Sequence, residues 1–86
     1  MKTMIDIFKT KMPEGMKIVN EKELNNRFKI EVQFLDVIVP TELSKQCSPG
    51  YESRYCKSIL WSALAQIYLI KDDIPKVKEY LSKSHI

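Results

Sequence analysis

The chain has 86 residues with a formal net charge of +3, and 44% of them are apolar and 29% charged. That length leaves room for a single domain over 1–86, the apolar fraction excludes a disordered chain, and two glycines exclude a Gly-rich phosphate loop. The excess charge lies in the second half, where seven Lys/Arg face four Asp/Glu against seven and seven before residue 44, a field too weak for a dedicated nucleic-acid binder.

The opening MKTMIDIFKTKMPEG breaks at Lys9, Lys11 and Pro13 before an apolar stretch forms, so no secretory signal is expected. No apolar run approaches the roughly 18 residues that a membrane span needs. Thr3 with Asp6 three residues later reads as a capping box for a first helix, and Met4, Ile5, Phe8 and Met12 then fall on one face. Pro13 and Gly15 end that helix. Met16 to Val19 is short and β-prone, and the polar NEKELNN, residues 20–26, reads as a turn or one helical turn.

Residues 27–39, RFKIEVQFLDVIV, are the clearest strand. Phe28, Ile30, Val32 and Phe34 alternate with Lys29, Glu31 and Gln33, the period of a sheet with one wet face. The parity then slips to Leu35, Val37 and Val39, which suggests a bulge or a tail buried on both faces, and Pro40 is expected to stop the ladder. Thr41 is expected to cap a short helical turn through Lys45, and SPG at 48–50 is a break.

From Tyr51 the pattern is helical to about Ile70, with a corner at Lys71 to Asp73 and a last helix that starts beside Pro75, where the missing amide has no partner to lose. Val77, Tyr80, Leu81 and Ser84 are expected on its inner face, with Lys76, Lys78, Glu79 and Lys83 outward and Glu79–Lys83 ordered for an i,i+4 pair. Over Ile59 to Ile70 only Ser62 and Gln66 are polar, so that helix belongs in the middle of the molecule, covered on at least two sides. The expected fold is α+β: an N-terminal helix, a small antiparallel β-hairpin (together 1–40) and a C-terminal αα-hairpin (51–86) packed on the sheet.

Trp61, Leu64, Ala65 and Tyr68 reproduce the W-x2-L-G-x2-Y spacing of the first helix of a tetratricopeptide repeat, with Ala in place of Gly. Residues 58–86 thus resemble a single hairpin of that family: Asp72-Asp73 sits where it favours Gly-Asp or Gly-Asn, and Val77-x3-Leu81-x2-Ser84 replaces its Ala-x3-Phe-x2-Ala. Val77 is bulkier than the family pattern, and no second copy follows, whereas a solenoid needs about three. The resemblance implies peptide binding on the first helix through Ile59, Ser62, Gln66, Leu69 and Ile70, without the Lys and Asn residues that clamp a carboxylate in some members. The competing reading is that Phe28, Ile30, Val32 and Phe34 cover this surface from within.

Signals for catalysis are sparse. His85 is next to the last residue, and two Cys with one distant His do not complete a zinc site, so no metal and no cofactor is expected. Cys47 and Cys56 do not form a disulfide framework and point to a reduced, cytoplasmic chain, with Cys47 as an exposed thiol and Cys56 packed. Asp72-Asp73 reads as a helix-capping corner. KQCSPGYESRYCK interleaves Lys45, Arg54 and Lys57 with Tyr51 and Tyr55, cations and aromatics of the kind that contact phosphates and bases, although loops entering helices share this composition.

The expected function is a non-enzymatic protein-protein interaction module, an adaptor, chaperone-like factor or inhibitor that recognises a protein partner through the C-terminal helices or a strand edge. The alternative is a small basic nucleic-acid-associated regulator. An unpaired strand edge and the wide apolar perimeter of the helices point to a homodimer or an obligate partner.

Overall fold

The computed structural model describes residues 3–84. It is α+β: helix α1 (Met4–Lys11), strands β1 (Lys17–Glu23), β2 (Arg27–Phe34) and β3 (Val37–Ser44), then helices α2 (Glu52–Ile70) and α3 (Ile74–Ser84). The strands form an antiparallel meander in the order β1-β2-β3.

Thr3 and Asp6 close α1 reciprocally: Thr3 Oγ1 accepts from the Asp6 amide at 3.2 Å and Asp6 Oδ2 from the Thr3 amide at 3.0 Å. Two orphan amides are thereby satisfied, and Lys9 and Lys11 in the last turn complement the negative end of the helix dipole. Met4, Ile5 and Phe8 are buried, as their spacing predicts.

The expected strand over 27–39 is two strands. Leu35 and Asp36 have φ of 53° and 64°, and two successive left-handed residues are the backbone of a type I′ hairpin turn, whose twist matches that of the flanking strands. The parity slip after Phe34 is this turn rather than a bulge. It is hard to see in sequence because the turn carries Leu-Asp where Asn-Gly is usual. Two further expectations fall with it. Pro40 does not stop the ladder: it lies inside β3 opposite Glu31, tolerated because β3 is an edge strand. Thr41 does not cap a helical turn, since 41–44 continue β3.

Met16 to Val19 does pair with the long strand, because Lys17 faces Gln33 and Ile18 faces Val32. The polar segment after it is strand through Glu23 rather than turn, with a register shift that leaves Val19 unpaired between Ile18 and Asn20. Phe28 opposite Leu43, Ile30 opposite Thr41, Val32 opposite Val39 and Phe34 opposite Val37 build the inner face of β2 and β3.

Cys56, Leu60, Ala63, Leu64 and Ile67 of α2 join these residues and Met4, Ile5 and Phe8 in one continuous core. Helix α2 is the hub, touching α1, β3 and α3. Tyr55 ties it to the sheet, where its hydroxyl accepts from the Ser44 amide at 2.7 Å. Its far end stops in a Schellman arrangement: the Asp73 amide donates to the Tyr68 carbonyl at 2.9 Å, the Asp72 amide to the Leu69 carbonyl at 3.0 Å, and Asp72 takes φ 60°. Asp73 then caps α3, its Oδ1 accepting from the Lys76 amide at 3.3 Å. The acidic corner is therefore spent on turning the chain.

An aromatic series joins the layers. Phe34 of the sheet meets Tyr68 edge-on at 6.5 Å, Tyr68 stacks on Tyr80 of α3 at 5.6 Å, and Lys83 lies 5.4 Å from the Tyr80 ring. Ser58 Oγ donates to the Ser84 carbonyl at 2.8 Å and pins the open end of the αα-hairpin. Glu79 and Lys83 are paired at 3.5 Å as their spacing predicts.

Candidate functional site

Helix α2 has three faces. Cys56, Leu60, Ala63, Leu64 and Ile67 turn toward the sheet and α1, while Ser58 and Tyr68 turn toward α3. At about 100° per residue, Ile59, Ser62, Gln66, Leu69 and Ile70 fall on the remaining side. Of the five residues that the sequence singles out, Ile59 packs against the core that holds Phe28, Ile30 and Val32, whereas Leu69 and Ile70 do not. Ile59 and Ser62 are half-buried, Gln66 is exposed, and Leu69 and Ile70 keep 58% and 63% of their surface in solvent.

On α3, Val77, Tyr80 and Ser84 are half-buried toward α2, but Leu81 is not on the inner face. It follows Tyr80 by one residue, is rotated away from the stacked ring, and remains 47% exposed; Ile74, two turns earlier on the same side, is 42% exposed. The sequence reading misses both residues. The signal available for them is their seven-residue separation, which places them on one stripe.

Two of the three suggested phosphate-contacting residues have other partners. Lys45 Nζ lies 2.7 Å from Glu23 Oε2 and 5.2 Å from the centre of the Phe28 ring. Arg54 stands over the Tyr51 ring at 6.0 Å. Lys57 is exposed on α2. With its charge compensated by Glu23, Lys45 contributes little to an electrostatic footprint for a polyanion.

Beside Lys45 lies a cleft of about 640 Å³, with Met4, Ile7 and Phe28 at its apolar side and Glu23, Lys45, Cys47 and Glu52 around them. Cys47 is half-buried rather than fully exposed, and its thiol donates to the Ser48 carbonyl at 3.6 Å. Loss of solvent raises its pKa and the Glu52 carboxylate adds to the shift, so the thiolate is disfavoured at neutral pH. Cys56 is buried as expected and its thiol contacts the Met4 carbonyl at 3.6 Å. Burial first, then Cys47 and Glu52 against a smaller opposing pull from Lys11, push its pKa to about 11. Both cysteines are free, and neither has the electropositive surroundings of a reactive nucleophile.

Among the described residues no group of His, Cys, Asp or Glu is placed to hold a metal ion, and no helix is long and apolar enough to cross a membrane. His85 lies outside the described residues. No protein-family model, no curated protein and no solved structure matches the chain.

Proposed function

We propose that the chain is a non-enzymatic protein-protein interaction module that binds a protein partner through its C-terminal αα-hairpin. The observation that carries this reading is the unshared face of α2, where Leu69 and Ile70 stand in solvent at the end of a helix whose other two faces are packed. Large aliphatic side chains held on a rigid, capped element form a contact patch with little ordering left to lose on binding. Of the residues that carry the resemblance to a tetratricopeptide-repeat hairpin, Leu64 and Ala65 are buried and Tyr68 is stacked on Tyr80, whereas Leu81, in the place of the family's Phe, is half in solvent.

The strand edges are the poorer route to a partner. Val19 interrupts β1 with an irregularity flanked by Lys17 and Lys22, and Pro40 removes a donor from β3, both devices that discourage edge pairing. The titratable side chains support a non-enzymatic role: among the described residues no charged side chain is buried, and loss of solvent pushes the two thiols away from the reactive thiolate. Two free thiols suit a reducing compartment, and we read the setting as the cytoplasm.

Parallel affinity capture with the wild-type chain and Leu69→Glu tests the assignment. A protein recovered by the wild type and lost with the folded variant is the expected result, and equal recovery by both refutes the helical surface.

A further inference from the structure

We propose that the cleft between the start of α1 and the chain leaving β3 binds a small amphipathic amine, its apolar body against Ile7, Met4 and Phe28 and its ammonium group beside Glu52. The cleft shares no residue with the helical surface, so the two readings stand or fall separately. At about 640 Å³ it lies within the size range of small-molecule pockets, roughly 300–1,000 Å³.

Its walls come from separate parts of the chain and are held before anything binds. Met4 and Ile7 lie one turn apart on α1, whose start is closed by the Thr3–Asp6 capping box. Ile7 is half-buried and forms the apolar wall, with Met4 and Phe28 beneath it at the floor. Phe28 is paired with Glu23 across β1 and β2. The chain after β3 is fastened twice: the Lys45 amide donates to the Asn26 carbonyl at 3.1 Å, and the Ser44 hydroxyl donates to the Gln46 carbonyl at 2.8 Å. A pocket fixed in this way leaves little of the protein to be ordered by its ligand.

Charge selects the ligand class. Among the described residues that line the cleft, the charged ones are Glu23, Lys45 and Glu52. Lys45 is tied to Glu23 at 2.7 Å and lies 5.2 Å from the centre of the Phe28 ring. Glu52 is in no ion pair with a described residue. Its Oε2 accepts from the Gly50 amide at 3.1 Å, an uncharged partner that leaves the carboxylate its charge. The lining therefore carries two acids against one base. Cys47 in the same lining agrees in sign: loss of solvent and then the Glu52 carboxylate push its pKa up, with no described cation pulling it down. An ammonium group gives Glu52 a charge-assisted hydrogen bond, whereas an anionic group in its place meets like charge.

The test titrates the intact chain with phenethylamine, phenethyl alcohol and hydrocinnamate, which share a ring and a short arm and end in a cation, a neutral hydroxyl and an anion. Heteronuclear NMR is the readout. Phenethylamine is expected to shift the amides of Ile7, Phe28, Cys47 and Glu52, to saturate in the millimolar range and to bind the tightest of the three. Glu52→Gln keeps an acceptor for the Gly50 amide but removes the charge, so it should weaken phenethylamine at least about threefold and leave phenethyl alcohol unchanged. Ile7→Ser, checked for native circular dichroism, should weaken all three. Equal or tighter binding of hydrocinnamate overturns the amine, as does phenethylamine binding that Glu52→Gln leaves intact. Saturable shifts confined to α3 and the end of α2, or none in the millimolar range, overturn the site.

Discussion

Leu35 and Asp36 carry the least comfortable stretch of backbone among the described residues. A left-handed conformation places Cβ against the following carbonyl and costs a non-glycine residue about 1–2 kcal/mol, and the turn between β2 and β3 needs it twice. Leu35 keeps 44% of its surface in solvent, so its side chain returns only part of that cost through burial. Replacing the pair with Leu35→Asn and Asp36→Gly should therefore stabilise the protein by about 1 kcal/mol, raising Tm by roughly 5 °C in a domain of this size. Thermal unfolding followed by circular dichroism checks it; a lower Tm would mean that Leu35 makes a contact worth more than the strain. The same residues explain a failure of legibility. Leu-Asp continues a β-prone pattern, and only the pairing of Phe34 with Val37 exposes the reversal.

At the scale of elements, each strand edge is blunted in its own way. Pro40 sits at the middle of β3, where its ring denies an incoming strand one amide, and Val19 breaks the regular pairing of β1. Pro40→Val restores the donor and adds a β-branched side chain to a strand that already exposes Ile38. Light scattering at micromolar concentration should show self-association for this variant and less of it for the wild type; an unchanged particle size would show that β3 is shielded by something other than its proline. Helix boundaries, by contrast, were legible almost to the residue. Thr3 with Asp6 and Asp72 with Asp73 are local signals whose hydrogen bonds involve the nearest turn, so no distant residue is needed to read them.

Across the whole molecule, the core is a single apolar unit with the Cys56 thiol inside it. Burial, helped by Cys47 and Glu52, holds that thiol protonated to about pH 11, whereas in the unfolded chain it ionises near its ordinary value of 9.0. Between those values the unfolded state binds fewer protons than the native state, so stability falls as pH rises from about 9 to about 11. Denaturant melts at pH 8 and pH 10.5 should show a smaller loss for Cys56→Ala than for the wild type; equal losses would show that the Cys56 thiol does not carry the decline. The candidate surface is also a property of the whole. Ile59, Ser62, Gln66, Leu69 and Ile70 are what the resemblance to a repeat hairpin implies, but whether each meets the core or the solvent depends on where α1, β3 and α3 settle around α2.

Helix starts and stops, the alternation of β2, the burial of α1 through Met4, Ile5 and Phe8, and the α+β class were determined by the sequence alone, because caps and hydrophobic periods act within a turn or a strand. The third strand, the place of Pro40 at an edge and the outward turn of Ile74 and Leu81 were decided by tertiary structure. Each depends on which neighbour covers which face, and residues distant in the chain supply that cover.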